Sequence, residues 1–194
     1  MIKKYLSSKR FLRKIIFPFF RLLDLNLLYF HPVSKRLFYL KFWSHKGYWF
    51  FGIQREAKEL EIIKKLIRNG DNIFEAGAHI GFLTQIFEHL TLESSNILAI
   101  EPCQENRFFL EKNIKSKTRI IPVALSNKIG NGQLHLDNYG GFTNSLKKEF
   151  TNIKNISLSK SQLLPLLKIK ETFVKIETID SICEKYYFKP DFLK

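Results

Sequence analysis

Asp71-Asn72-Ile73-Phe74-Glu75-Ala76-Gly77-Ala78-His79-Ile80-Gly81-Phe82 is the stretch on which the fold of this 194-residue chain turns. Asn72 to Ala76 predicts a short strand, Gly77 to Gly81 a glycine-bearing turn, and Phe82 to Leu92 a helix with Leu83, Ile86, Phe87 and Leu90 on one side. Glycines in such a turn let the backbone bend sharply and approach a ligand closely. About 26 residues further on, Glu101 ends a second apolar strand, Asn96 to Ile100, and is followed by Pro102. An acidic residue there suits the hydroxyls of a ribose. Together the two elements describe an adenosine-type ligand over the carboxyl ends of two strands.

The turn also discriminates among such ligands. A dinucleotide fingerprint is G-x-G-x-x-G, with glycines clearing room for a pyrophosphate. Here the spacing is G-x-x-x-G, with Glu75 just ahead of it. A carboxylate at that point suits a cationic ligand better, and S-adenosyl-L-methionine carries both an ammonium and a sulfonium.

Working outward, Gln54 to Arg68 reads as a helix stopped by Asn69-Gly70, Cys103 to Ile114 as another, and Arg119 to Leu125 as a third strand. Strand, helix, strand, helix, strand is the order of an α/β fold with a parallel sheet. Beyond it, Gly130-Asn131-Gly132 and Tyr139-Gly140-Gly141 bracket a short strand, Gln133 to Asp137, which suggests a hairpin excursion. Val174 to Ile179 alternates like a strand, Asp180 to Tyr187 suits a short helix, and Pro190 to Lys194 looks like the opening of another buried strand.

Composition sets the outer limits. A hydrophobic fraction of 45% supports a packed core and excludes a wholly disordered chain. Cys103 and Cys183 stand 80 positions apart and the five histidines are scattered, so neither a disulfide framework nor a metal site is expected. The net charge of +14 is uneven: residues 1–70 hold 16 Lys and Arg against 4 acids, whereas residues 71–194 hold 16 against 14. Aromatics follow the charge, 15 of 28 lying in residues 1–51. Lys3, Arg10, Lys14 and Arg21 recur at helical spacing, with Leu12, Ile15, Ile16, Phe19, Leu22 and Leu23 on another face. A basic amphipathic helix of this kind lies in a membrane interface or packs on its own protein, and Pro18 interrupts it. Arg21 and Asp24 break the apolar run after the charged start, so neither a signal peptide nor a spanning helix is expected.

The motifs in order resemble those of FkbM-type methyltransferases. Asp71 to Phe82 is similar to the first motif of that family. Ala99-Ile100-Glu101-Pro102 with Asn106, Leu110 and Asn113 resembles its E-P motif and following helix. Val123 to Ser126, Gly141 to Leu146 and Thr178-Ile179-Asp180 resemble its third-strand, glycine-serine and T-L-D elements. The resemblance implies a Rossmann-like class I methyltransferase sheet and S-adenosyl-L-methionine as cofactor. Glu75, Gly77, Ala78 and Gly81 would cradle the methionine part, Glu101 would hold the ribose, Ala124, Leu125 and Ser126 would lie near the adenine, and His79 and Pro102 complete the implied cofactor-binding set. His79 departs from the family's usual Asn. The acceptor would be a hydroxyl of a glycan or another small molecule, and no residue of this chain is singled out as the base.

In the family the counterpart of Pro190 to Lys194 runs on into a K-x-D-x-E-G motif and further strands. The resemblance therefore implies a sheet incomplete at its C-terminus, and a truncated product is the expectation. The expected organisation is a basic, aromatic, helical N-terminal extension over residues 1–50 and the front part of the methyltransferase domain over residues 51–194. The expected location is cytoplasmic, with residues 1–30 as a candidate contact for the inner face of an anionic membrane. The alternative is a membrane-surface or nucleic-acid-binding protein using the basic segment, with a non-catalytic Rossmann remnant, although nucleic acid is not the expected partner.

Overall fold

A computed structural model describes residues 24–92, 95–136, 143–147 and 170–194. The basic helix expected over residues 3–23 and the Tyr139-Gly140-Gly141 turn lie outside the described residues.

The chain opens with a hairpin, β1 (Asn26–Phe30) and β2 (Leu37–Lys41), followed by the short helix α1 (Lys46–Phe51) and a 3-10 turn over Gly52–Glu56. Helix α2 (Ala57–Leu66) leads into the parallel unit: β3 (Ile73–Ala76), α3 (Phe82–Thr91), β4 (Ile97–Ile100), α4 (Gln104–Asn113) and β5 (Thr118–Ile121). After these come β6 (Ala124–Leu125), β7 (Gly130–Leu136), β8 (Lys170–Glu177), α5 (Ile179–Lys185) and β9 (Phe192–Leu193).

The central sheet has the order β5-β4-β3-β9, with every pair parallel. This is the Rossmann-like arrangement: the first strand of the unit is central, and the second and third step outward on one side. The strand expected to open at Pro190 to Lys194 is present as β9, which registers Ile73 against Phe192 and Phe74 against Leu193, but it is not buried, Leu193 being half exposed. All four residues of β4 are buried, as befits a strand with neighbours on both edges and helices on its faces.

Two expectations are corrected. The third strand does not run from Arg119 to Leu125. It breaks at Pro122, which lacks the N–H a ladder needs, and β6 pairs instead with β8 in a second sheet of order β6-β8-β7. Where it is described, the segment before residue 51 is not wholly helical. Ahead of α1 it forms a hairpin whose inner face carries Phe38 and Leu40, both fully buried in one core with Ile73, Ile80, Phe82, Ile86 and Ile97. Each such side chain contributes on the order of 2 kcal/mol through its removal from water.

Polar groups fix the hairpin's seat on the domain. His31, buried and neutral, bonds the Phe82 carbonyl through Nε2 at 3.0 Å, while its Nδ1 accepts from the N–H of Val33 and Ser34. Burial lowers its pKa to about 4, so it stays neutral at physiological pH. Arg36 pairs with the buried carboxylate of Glu88, which also accepts from the Lys115 N–H and the Thr118 hydroxyl. Asn113 stands in for a missing strand at the edge of β2. Its Oδ1 accepts from the Tyr39 N–H at 2.5 Å, and its Nδ2 donates to the carbonyls of Tyr39 and Ile80 at 2.9 and 2.7 Å. Asn113→Ala strips three backbone groups of partners at once. It is expected to cost about 3 kcal/mol, read as a lowered midpoint in urea unfolding.

Candidate functional site

The carboxyl ends of β3 and β4 open into a cleft of about 620 Å³, within the size range of small-molecule sites. Nine of the ten residues singled out in the sequence line it: Glu75, Gly77, Ala78, His79, Glu101, Pro102, Ala124, Leu125 and Ser126. Gly81, the tenth, is not among the lining residues. It caps α3 with φ +88°, and a Cβ there would stand 2.8 Å from Leu110 Cδ1. Gly81→Ala combines left-handed strain with a clash against a fully buried side chain. A loss of roughly 2 kcal/mol or more is expected in chemical denaturation. Gly77 also has a positive φ, +76°, but a Cβ on it would meet nothing within 4 Å. Its missing side chain leaves room in the cleft, while its N–H and that of Ala78 both donate to the Ile100 carbonyl.

Glu101 organises the turn. Its Oε2 accepts from the His79 N–H at 2.9 Å, and its Oε1 from the Cys103 N–H at 2.9 Å and Asn106 Nδ2 at 3.1 Å. One carboxylate thus ties the β3–α3 turn to the start of α4. A carboxylate offers about four acceptor positions, so three protein donors leave capacity for a ligand hydroxyl. Burial raises the Glu101 pKa, and the three donors pull against that rise.

Glu75 is 1% exposed, with its Oε2 accepting from the Thr84 hydroxyl at 2.6 Å. Burial raises its pKa to about 7, opposed by the charge of Lys194 and by the Thr84 bond. Lys194 lines the same cleft, held by its carbonyl accepting from the Ala76 N–H and its N–H donating to the Phe74 carbonyl. A carboxyl poised near neutrality at the rim of a cleft is stabilised in its charged form by a cationic ligand.

His79 occupies the left-handed region at φ +54°, where Asn, Asp and His are the better-tolerated non-glycine residues. Its conformation therefore suits a histidine at this place. The His79 ring bonds Tyr48 through Nδ1 at 3.0 Å, and Tyr48 also lines the cleft. Behind it, burial holds the His45 pKa down to about 2, and its Nδ1 accepts from the Lys41 N–H.

Tyr48, Glu56, Glu59, Asn144, Lys147 and Lys194 join the cleft without having been singled out. Tyr48 lies among the aromatics concentrated in residues 1–51, and Asn144 in the glycine-serine stretch. Nothing local marks Glu56, Glu59 or Lys147. His135 is not a lining residue and bonds Glu171 at 3.1 Å on the β7–β8 ladder. Among the described residues no group of His, Cys, Asp or Glu could hold a metal ion, and no helix is long and apolar enough to cross a membrane.

Comparison with known proteins adds the following. The profile of the methyltransferase FkbM domain matches residues 75–194. Among solved structures, one described as an rRNA methylase from Clostridium thermocellum aligns with a TM-score of 0.34 and 16% identity, covering 35% of this chain and 39% of that one. Aeropyrum pernix fibrillarin, solved with natively bound S-adenosyl-L-methionine, aligns with a TM-score of 0.31 and 15% identity, covering 44% of this chain and 36% of that one. A structure described as an S-adenosylmethionine-dependent methyltransferase from Listeria monocytogenes aligns with a TM-score of 0.30 and 13% identity, covering 68% and 79%. The chain thus spans well under half the length of the first two. No curated protein sequence matches it significantly.

Proposed function

The chain belongs to the FkbM methyltransferase family, and from that membership we propose that it binds S-adenosyl-L-methionine in the cleft above β3 and β4 and serves methylation of a hydroxyl on a saccharide or another small molecule. The observation that carries the reading is the convergence of Glu75 with the Gly77–His79 turn, Glu101 and the Ala124–Ser126 segment, from three separate stretches, on one cleft.

The residues present fit that cofactor. Gly77 leaves open space on the cleft side, so the backbone can lie close to the methionine portion. Glu75 offers a buried carboxyl whose ionisation a cation would promote. Glu101 keeps acceptor capacity on Oε2 for a ribose hydroxyl while its other bonds hold the turn in place. Ala124 and Leu125 provide apolar contact suited to a purine, with Ser126 beside them. When bound, S-adenosyl-L-methionine supplies an electrophilic methyl group. The protein's part is to orient it, exclude water and leave the acceptor in line. Neither Glu75 nor Glu101 is assigned a proton transfer. Each is a binding group in this reading.

The proposal is tested in two stages. Hydrogen exchange on adding S-adenosylhomocysteine should slow at residues 75–82, 101–106 and 123–126 together. Exchange unchanged in all three segments contradicts cofactor binding here. Methyl-labelled S-adenosylmethionine incubated with hydroxyl-bearing acceptors should then give label in an alkali-stable ether. Label only in amines or alkali-labile esters contradicts the acceptor class.

A further inference from the structure

The outer face of the β1–β2 hairpin is apolar where a solvated strand pair is normally polar. Phe30 and Leu37 are direct cross-strand partners, 59% and 61% exposed, and Leu28, opposite Tyr39, is 64% exposed. Helix α4 continues the surface. Phe108 is half exposed, and the Lys112 ammonium lies 4.9 Å from the Phe108 ring and 5.3 Å from that of Tyr39. Lys41 sits on the same hairpin face at its base, and Lys35 in the turn at its tip. None of these residues lines the cleft.

The sequence leading into this hairpin is itself strongly basic. Residues 1–23 carry seven Lys and Arg and no acid, and they lead directly into β1. The Asp24 carboxylate accepts from the N–H of Trp43 at 2.7 Å and of Ser44 at 3.0 Å, so the point where that segment joins is pinned to the base of the hairpin.

We infer that this hairpin face docks on an anionic lipid surface, its apolar side chains entering the interface while the lysines and the basic segment meet the headgroups. The juxtaposition selects this occupant. Aromatic and leucine side chains ringed by lysines match a boundary that is apolar beneath and anionic above. A second copy of the chain would set two strongly cationic halves against each other. Nucleic acid would draw on the lysines but leave Leu28, Phe30 and Leu37 without a role.

The test is co-sedimentation of the full chain with vesicles of phosphatidylcholine alone or with about 30% phosphatidylserine. The anionic vesicles should bind it at least about tenfold more strongly, and less so at high salt. Leu28→Ser, Phe30→Ser and Leu37→Ser combined should lower the partition about tenfold, with the unfolding temperature held within a few degrees because all three side chains are exposed. Lys9→Gln, Arg10→Gln, Arg13→Gln and Lys14→Gln combined should lower it comparably and flatten the salt dependence. The inference is overturned if the wild type ignores anionic vesicles, or if the folded triple serine variant sediments with them as the wild type does. It is equally overturned if the chain forms a dimer that the serine changes dissociate, or binds RNA but not vesicles. None of these outcomes depends on cofactor binding.

Discussion

Glu75→Gln is expected to make the protein more stable above neutral pH and to abolish tight binding of S-adenosyl-L-methionine. Burial lifts the Glu75 carboxyl from its ordinary 4.5 to about 7. As pH climbs from 4.5 towards 7, the unfolded chain has released this proton while the folded chain still holds it. Stability is therefore lost across that window and stays low above it. The full difference is on the order of 3 kcal/mol. Glutamine keeps the shape and can still accept from the Thr84 hydroxyl. The variant should lose the pH dependence between 4.5 and 7 and unfold at a higher temperature at pH 8. Its affinity for the cofactor should fall roughly 100-fold, because a charge-assisted contact with a cation is removed. The wild type should bind more tightly as pH rises through 7, since the carboxylate is the binding form. A variant that binds as well as the wild type would detach Glu75 from the site.

Glu101→Ala is expected to damage both fold and binding. It strands the N–H groups of His79 and Cys103 and the amide of Asn106, all of which converge on this carboxylate. A cost of about 3 kcal/mol follows from three buried donors losing their acceptor, which in a chain of this size lowers the melting temperature by roughly 6–12 °C. Cofactor affinity should fall at least 100-fold, because the turn loses its anchor and the ligand its hydroxyl partner. Glu101→Gln separates the two contributions. One amide oxygen can keep the Cys103 and Asn106 bonds while the His79 N–H loses its acceptor, so stability recovers in part and affinity stays low.

These two carboxylates were legible in the sequence because their signals are local. A strand of four residues, a glycine turn and a helix leave little freedom in Glu75–Gly81, and Glu101-Pro102 marks a strand end without help from distant residues. The family motifs Asn106 and Asn113 were legible as positions but not as roles. Only the fold shows Asn106 holding Glu101 and Asn113 completing the edge of β2. The hairpin was hidden for a physical reason. Leu28, Phe30 and Leu37 face outward, so the strands lack the polar and apolar alternation that announces a half-buried pair. The cleft residues Tyr48, Glu56 and Lys147 were hidden because they come from distant segments whose local pattern serves packing or solvation. Pro122 was visible throughout, and its meaning, a switch of the chain from one sheet to the other, is a property of topology.

The central claim is that the cleft above β3 and β4 is a cofactor site built on Glu75 and Glu101. Calorimetric titration of the full chain with S-adenosyl-L-methionine, repeated across the Glu75 transition near pH 7, tests it most directly. Saturable binding at one site is expected, tightening as pH rises and lost in both Glu75→Gln and Glu101→Ala. A folded wild-type sample that binds nothing above pH 7, or binds equally well in both variants, contradicts it.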